Sequence, residues 1–116
     1  MRHARLVHRG ELARIAVEVA DGAIERMRGL LGRVGLDADR VLWLEPCNAV
    51  HTFGMRFPID VVFIDRRGCV VSIHRNAGSA RVLVCWRARA ALEMCAHGAQ
   101  ASRIEVGDRR VWRALT

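Results

Sequence analysis

The sequence predicts a mainly β domain of the α+β class, with an antiparallel sheet curled into a small barrel or clip and one short amphipathic helix near residues 23–34. Two observations lead to this prediction. Several short apolar runs alternate with polar residues as half-buried strands do, whereas a single segment has the three- and four-residue spacing of a helix. Many short strands with one helix are typical of a sheet that folds around a single core.

The first predicted strand leads directly into the predicted helix. Ile15, Val17 and Val19 alternate with other residues between positions 12 and 20, which indicates a strand with one buried face. Asp21 and Gly22 interrupt this pattern. Beyond them, apolar residues recur three and four positions apart, at Ile24, Met27, Leu30, Leu31 and Val34. Arginines occupy the opposite side, so we expect the helix to cover one opening of the sheet with its apolar side.

The strongest local signal is a hairpin between positions 59 and 74. Two apolar runs rich in β-branched residues, 61–64 and 69–73, flank the sequence Asp65-Arg66-Arg67-Gly68. Gly68 can adopt a positive φ without steric cost, which favours a tight turn between paired antiparallel strands. Apolar residues occupy both parities of the runs, so we expect both faces to be covered and the hairpin to lie in the centre of the sheet.

Shorter strands are predicted on both sides of this hairpin. Segments 41–45 and 48–53 are predicted as strands separated by Pro46, because proline cannot donate to a central ladder. The alternation within 81–96 predicts two further strands, and 111–112 predicts a last one. The Ala-rich segment 99–104 is expected to form one helical turn.

Length and composition indicate one domain over residues 1–116 and favour a cytoplasmic protein. No low-complexity tract or repeat divides the 116 residues. The amino terminus has no apolar stretch of signal-peptide length, and no run approaches the roughly twenty apolar residues of a membrane span, so no membrane partner is expected. The 4 cysteines include no C-x-x-C pair; we expect them to be reduced, and we expect no metal or other cofactor.

The net charge of +7 arises from 19 arginines without any lysine. Nucleic-acid-binding domains normally concentrate lysine and arginine in one patch. Here the arginines are scattered along the chain and interleaved with acids, as in the pairs Glu25-Arg26 and Asp108-Arg109. This pattern disfavours a nucleic-acid partner, and nucleic-acid binding through the arginines ranks third among the functions considered.

Three ordered segments resemble one known family. They are Glu25 to Arg33, His51 to Asp65, and Ala91 to Met94 with Gly98 and Val106-Gly107-Asp108. In this order and spacing they resemble the family catalogued as domain of unknown function 192, an uncharacterised bacterial and archaeal domain, over about residues 12–112.

The resemblance implies a fold more than an activity, because the family has no established function. Many of its members begin with an export signal that this chain lacks. The chain also departs from the family in two places. Members often have Trp-Met-x-Asn-Thr where His51 to Met55 stand, and methionine where Leu31 stands. If a family cleft used that tryptophan or asparagine, the ligand of this chain would differ.

Asp60 is the acid that the sequence constrains most. It begins a predicted strand on the same parity as Val62, so its carboxylate should lie among apolar side chains and needs partners. We interpret Asp60 first as structural, accepting hydrogen bonds from amides of the turn at 57–59 or from Arg56. A catalytic or ligand-binding acid is the alternative.

Glu93 and His51 are the other candidates for chemistry. Glu93 is interpreted as an exposed strand acid paired with Arg87 or Arg89, with a place in a small-residue groove as the alternative. His51 is the residue expected to titrate near neutral pH, although a lone histidine in a strand is more often structural than catalytic.

Taken together, these observations predict a non-enzymatic binding or accessory domain with a cleft for a small anionic ligand or a peptide segment. The candidate cleft residues are His51, Thr52, Met55, Arg56, Asp60 and Glu93. The alternative is a small hydrolase or lyase that uses His51 with Asp60 or Glu93, since general acid/base catalysis needs one group poised near the operating pH and a second that orients it. The sequence contains no motif that assigns a catalytic residue.

Overall fold

Nine strands and one short helix form in the part of the chain that the computed structural model describes, which is residues 2–8, 11–20 and 40–114. The strands are β1 (Arg2–His8), β2 (Glu11–Ala20), β3 (Arg40–Leu44), β4 (Ala49–His51), β5 (Ile59–Ile64), β6 (Val70–Ala77), β7 (Val82–Val84), β8 (Ala90–Cys95) and β9 (Arg110–Ala114), and the helix is α1 (Gly98–Ala101). The amphipathic helix predicted near residues 23–34 lies outside the described residues.

Seven of the strands form one sheet in the order β6-β5-β8-β3-β2-β1-β9. Its neighbours pair antiparallel except β2 and β3, which run parallel. The remaining two strands, β4 and β7, pair antiparallel as a separate ribbon. This arrangement confirms a mainly β, α+β fold. The predicted strands are all present, whereas β1 was not predicted, because its segment contains few apolar residues and is held by pairing with β2 and β9.

The two edge strands of the large sheet, β6 and β9, meet at one end. Cys69 and Arg109, which precede these strands, form an isolated antiparallel bridge. Beside it, the amide of Arg110 donates to the carbonyl of Gly68 at 2.7 Å, and the amide of Val70 donates to the carbonyl of Asp108 at 2.7 Å. The mainly antiparallel sheet is confirmed, and no ladder within the described strands closes it into a barrel.

The predicted hairpin is present between β5 and β6. Its turn is closed by a hydrogen bond from the amide of Gly68 to the carbonyl of Asp65 at 3.1 Å, and Gly68 adopts a φ of 82°. The Asp65 carboxylate accepts the amides of Arg67 at 2.9 Å and Cys69 at 3.0 Å. The expected central position is right for β5, every residue of which is buried, but wrong for β6, an edge strand. β5 is central because β8, which is distant in the chain, pairs with its other side, whereas β6 pairs with β5 alone among the described strands of the sheet.

Apolar side chains cover both faces of the large sheet. The first cluster, named here the Val62 cluster, contains Val62, Trp43, Leu92, Met94 and Ile104. On the opposite face lies the Phe63 cluster, which contains Phe63, Leu42, Val61, Ala91 and, from the ribbon, Val50 and Leu83. The ribbon strands bury only their middle residues, because one face packs on the sheet and the other faces solvent.

Candidate functional site

The carboxylate of Asp60 is fully buried and accepts three backbone hydrogen bonds. One oxygen accepts the amide of Asn76 at 2.8 Å and that of His97 at 3.1 Å, and the other accepts the amide of Ala99 at 3.0 Å. Asp60 is thus bonded by amides, as its structural interpretation expects, but the donors are not those of the turn at 57–59. They come from β6 and from the start of α1, which long-range folding brings to the beginning of β5.

The three amides that Asp60 binds belong to segments that need an acceptor. Asn76 and His97 both adopt positive φ, at 52° and 68°, and His97 caps α1 without a side-chain hydrogen bond of its own. The first amides of a helix have no partner within the helix. Asp60 supplies that partner from another strand, so its buried charge is compensated by directed amide dipoles.

Cys95 lies at the end of β8, close to this carboxylate. Burial raises the pKa of its thiol, and the negative charge of Asp60 raises that pKa further. A thiol with a raised pKa carries less thiolate at neutral pH and is a weaker nucleophile under those conditions. The four cysteines, Cys47, Cys69, Cys85 and Cys95, are all half-buried, and no disulfide joins them.

Glu93 is buried, with 5% of its surface exposed. Its position on β8 is beside Val61 of β5 and Leu42 of β3, on the face that carries the Phe63 cluster. The sequence predicted an exposed acid paired with Arg87 or Arg89, and the predicted exposure is wrong. Arg89 lies 3.8 Å from the carboxylate of Glu45. Glu93 is buried because β8 is a central strand, between β5 and β3. The alternation of residues within one strand does not reveal its place in the sheet.

Asp60 and Glu93 lie on opposite faces of the large sheet. Asp60 pairs with Met94, a member of the Val62 cluster, and Val61 of the Phe63 cluster pairs with Glu93. Directly paired residues share a face, and successive residues of a strand point to opposite faces. The two carboxylates therefore cannot reach one substrate through this sheet.

The other predicted cleft residues divide between interior and surface. Thr52 is fully buried; its hydroxyl donates to the carbonyl of Gly78 at 2.7 Å and accepts the amide of Arg81 at 2.8 Å. Met55 is half-buried against the Phe63 cluster. His51 and Arg56 are exposed, and the ring of His51 lies 5.9 Å from that of Phe53. Thr52 is thus held by main-chain partners, and Asp60 and Glu93 of the same set lie on opposite faces of the sheet.

A different concave surface is lined by arginines. This surface, named here the arginine groove, has a volume of about 630 Å³ and is open to solvent. Its cationic and aromatic lining consists of Arg66, Arg67, Arg87, Arg89 and Trp86. None of these residues belongs to the cleft predicted from the sequence. Their signal in the sequence is two Arg-containing turn segments, 65–68 and 85–89, which only pairing in three dimensions brings together.

Two tight turns and one short segment build the arginine groove. The hairpin turn presents Arg66 and Arg67, and a second turn, closed by the amide of Ala88 donating to the carbonyl of Cys85 at 3.0 Å, presents Trp86 and Arg87. The third wall is the segment from 46 to 48, which follows the cis peptide bond between residues 45 and 46.

Backbone hydrogen bonds tie these three walls to one another. The amide of Arg89 donates to the carbonyl of Ile64 at 2.7 Å, which joins the second turn to the end of β5. The amide of Cys47 donates to the carbonyl of Arg89 at 2.9 Å, and the amide of Cys85 donates to the carbonyl of Asn48 at 2.8 Å. The arginines are therefore carried by a connected main-chain frame.

The lining of the arginine groove is strongly cationic. Four arginines face a single acid, Asp65, and that carboxylate already accepts two amides of its own turn. Glu45 lies close to Arg89, but both side chains are exposed enough that their attraction is screened by solvent. Arginine binds phosphate and carboxylate groups through paired N–H donors, so a surface of this kind attracts anions.

Two negative findings apply to the residues that the structure describes. Among them, no group of three or more His, Cys, Asp or Glu side chains is placed to hold a metal ion. None of their helices is long and apolar enough to cross a membrane.

Fold and surface together define a mainly β domain of the α+β class that carries an open, arginine-lined groove. Its sequence matches a known family over residues 4–112, DUF192, described as an uncharacterised ACR. The chain belongs to this family. No curated protein matches the sequence.

Two solved structures share the fold. One is a proposed transcription regulator from Sinorhizobium meliloti 1021, with a TM-score of 0.81 and 22% identity over 96% of this chain and 92% of that chain. The other is a protein of unknown function from Novosphingobium aromaticivorans DSM 12444, with a TM-score of 0.81 and 20% identity over 95% of this chain and 84% of that chain. At these identities the similarity shows a common fold alone.

Proposed function

We propose that this protein is a non-enzymatic binding or accessory domain that holds a small anionic ligand in the arginine groove. The observation that carries this proposal is the convergence of four arginines, from two separate turns, on one concave surface. Like charges held close together at a surface repel one another, and a bound anion would offset that repulsion.

The size of the groove supports a small ligand. Its volume of about 630 Å³ falls within the range of about 300–1,000 Å³ that is common for small-molecule sites. The walls are fixed to one another by main-chain hydrogen bonds, which reduces the entropy that the site would lose on binding. A peptide segment, the other occupant expected from the sequence, would need an acidic side chain or carboxyl terminus to match this surface.

The cleft predicted from the sequence contributes less to this proposal than the groove does. Asp60 and Thr52 are committed to backbone partners, which leaves His51 and Arg56 as its exposed polar members. The hydrolase or lyase alternative would need His51 to act with Asp60 or Glu93. The three amides that Asp60 accepts argue against its use as that second group.

Nucleic-acid binding through arginine remains the competing use of the same surface. The groove gathers arginines that are scattered in the sequence, and a relative in fold bears the description of a proposed transcription regulator. The small volume favours a small anion, because a duplex would need cationic contacts along a longer surface. Salt dependence separates the two, since each phosphate contact of a polymer steepens the loss of affinity with salt.

Titration of the isotope-labelled protein with inorganic phosphate at low ionic strength tests the proposal. We expect saturable NMR shifts at the backbone amides and side-chain Nε–H groups of the groove. Arg66→Ala and Arg87→Ala should each weaken binding by roughly two- to fivefold, since an exposed charge pair contributes about 0.5–1 kcal/mol.

Two matched variants complete this test. Arg75→Ala removes an exposed arginine of β6 that does not line the groove and should leave the affinity unchanged. Arg56→Ala removes an exposed arginine of the cleft predicted from the sequence. Shifts centred on residues 51–56, or an affinity lost in Arg56→Ala alone, would move the site to that cleft. Absence of any saturable shift would overturn the proposal.

Two further features belong to the same proposal. We expect the protein to work in the cytoplasm, which the lack of a disulfide among the four half-buried cysteines supports because reducing compartments maintain thiols. We also expect the sheet to behave as a curled clip, which the bridge between Cys69 and Arg109 supports by joining its two edges at one end. The same bridge lies next to the hairpin turn that presents Arg66 and Arg67.

A further inference from the structure

Trp86 lies in the arginine groove with 84% of its surface exposed. Among the side chains that the structure describes, it is the most exposed large apolar one, whereas Trp43 is buried at 4% and Trp112 is half-buried. Single exposed apolar residues are ordinary on protein surfaces. Trp86 differs because it stands beside Arg87 at the tip of a closed turn and lines the same groove as three further arginines.

We propose that the ligand of the arginine groove is an anion that also carries a flat aromatic ring, and specifically a nucleoside monophosphate. This inference rests on the proposed function and names the class of ligand. Its phosphate would bind the arginines, and its base would stack on the indole of Trp86. Every nucleobase has a π-face, so a base can stack on the indole without matching hydrogen-bond donors and acceptors on the protein.

The main-chain frame makes this combination specific to the groove. The turn of residues 85–88 presents Trp86 and Arg87 as neighbours, so an indole and a guanidinium are offered from one rigid unit. The hairpin turn supplies Arg66 and Arg67 across the groove, and it is steadied by the side chain of Arg109, whose Nε donates to the carbonyl of Arg67 at 3.1 Å. A ligand with a ring at one end and a phosphate at the other can therefore contact both turns.

Free nucleotides and nucleic-acid strands share this chemistry. We commit to the free mononucleotide, because the groove has a volume of about 630 Å³ and its walls come from two turns and one short segment. A polymer would need further aromatic or cationic side chains in line with the groove.

The test compares adenosine monophosphate, adenosine, inorganic phosphate and a single-stranded adenylate hexamer at the same low ionic strength, with NMR shifts as the common measure of affinity. Tryptophan fluorescence is a second readout for the wild-type protein, because Trp86 is the exposed indole. Adenosine monophosphate should bind at least about tenfold more tightly than phosphate, which is within the range of base stacking on an aromatic side chain. It should also quench the fluorescence.

Two aromatic variants locate this effect. Trp86→Ala should reduce the affinity for adenosine monophosphate to about the affinity that the same variant has for phosphate. Trp86→Phe should keep part of the advantage, since phenylalanine also stacks. Phe53→Ala, which removes an exposed aromatic residue that does not line the groove, should have no effect.

The outcomes separate this inference from the proposed function. Phosphate binding that depends on Arg66 and Arg87, with no advantage for adenosine monophosphate, would overturn the inference and leave the proposed function standing. Failure of both ligands to bind would overturn both. If the affinity of the hexamer is far more than six times that of adenosine monophosphate and falls steeply with salt, the groove binds nucleic acid. That result would overturn the commitment to a free nucleotide.

Discussion

Asp60 and Ala99, separated by 39 positions in the sequence, are joined by a hydrogen bond of 3.0 Å from the amide of Ala99 to the carboxylate of Asp60. With the amides of Asn76 and His97, this contact ties the start of β5 to the end of β6 and to the start of α1. A helix of four residues is too short to be stable in isolation, so α1 depends on such tertiary contacts.

Replacing Asp60 by asparagine should destabilise the fold by about 1–3 kcal/mol, because one acceptor oxygen becomes an NH₂ group that faces amide donors. Chemical denaturation of the wild type and Asp60→Asn measures the difference. Glu105→Gln, at an exposed acid, is the control and should leave the midpoint unchanged. An unaltered midpoint in Asp60→Asn would contradict the structural role.

The buried hydroxyl of Thr52 should prove equally necessary. Thr52→Val keeps the side-chain shape but removes the donor to Gly78 and the acceptor for Arg81, and should cost about 1–3 kcal/mol of unfolding free energy. Thr52→Ser retains the hydroxyl and should lose less. The comparison is made by thermal and urea unfolding, and equal stability of the valine and serine variants would refute it.

Three glycines allow conformational strain and steric clash to be separated. A Cβ at Gly68 would lie 2.8 Å from Cγ1 of Val111, in a residue with a φ of 82°. Gly68→Ala should therefore cost about 1–2 kcal/mol for the left-handed conformation and about 1–3 kcal/mol more for the clash. Gly107→Ala, at a φ of 95° with open space around it, should carry the first cost alone.

Gly78 completes this series, because a Cβ there meets nothing within 4 Å and its φ is not in the left-handed region. Gly78→Ala should be neutral or slightly stabilising, since alanine restricts the unfolded chain. Urea denaturation of the three variants should rank Gly68→Ala as the least stable. Any other order would mean that the hairpin turn can relax.

The thiol of Cys95 provides a test of electrostatics. Burial and the charge of Asp60 both raise its pKa, so at neutral pH it should be alkylated more slowly than an exposed cysteine. Asp60→Asn removes the charge and should lower the pKa of Cys95, which accelerates alkylation at a given pH. Mass spectrometry of peptides after timed iodoacetamide treatment measures both rates. No change in Asp60→Asn would contradict the charge contribution.

The same raised pKa has a consequence for stability. The thiol has a higher pKa in the folded state than in the unfolded state. As pH rises, the unfolded chain therefore ionises first, and this ionisation lowers the free energy of unfolding. The contribution of Cys95 to the free energy of unfolding is therefore complete below the ordinary thiol pKa of 9.0. It declines as pH rises from there through the higher pKa of the folded state. Unfolding free energies of the wild type and Cys95→Ser measured from pH 7 to 10 should differ in this alkaline slope.

Much of the fold could be predicted from local patterns. The alternation of β2, the two apolar runs of the hairpin and the turn at Gly68 are decided by neighbouring residues, so each was recognisable without knowledge of the partner strand. Strand β1 could not be recognised in this way, because pairing with two other strands holds a segment of few apolar residues.

The candidate site was much less predictable. The sequence indicated that Asp60 would need buried partners, and the structure supplies amides of Asn76, His97 and Ala99. It did not indicate that Glu93 would be buried or that the two acids would lie on opposite faces, because strand order and register are long-range properties.

By itself, then, the sequence determined the type of those described elements that have a clear apolar period, since that period decides which backbone geometry can bury them. It also determined the family and the tight hairpin turn. Only the tertiary structure decided which charges meet. Arg66 and Arg87 belong to turns that are distant in the chain, and they line one groove because the amide of Arg89 binds the carbonyl of Ile64 at 2.7 Å. Hydrogen bonds between segments that are distant in the chain depend on long-range pairing, which local patterns do not determine.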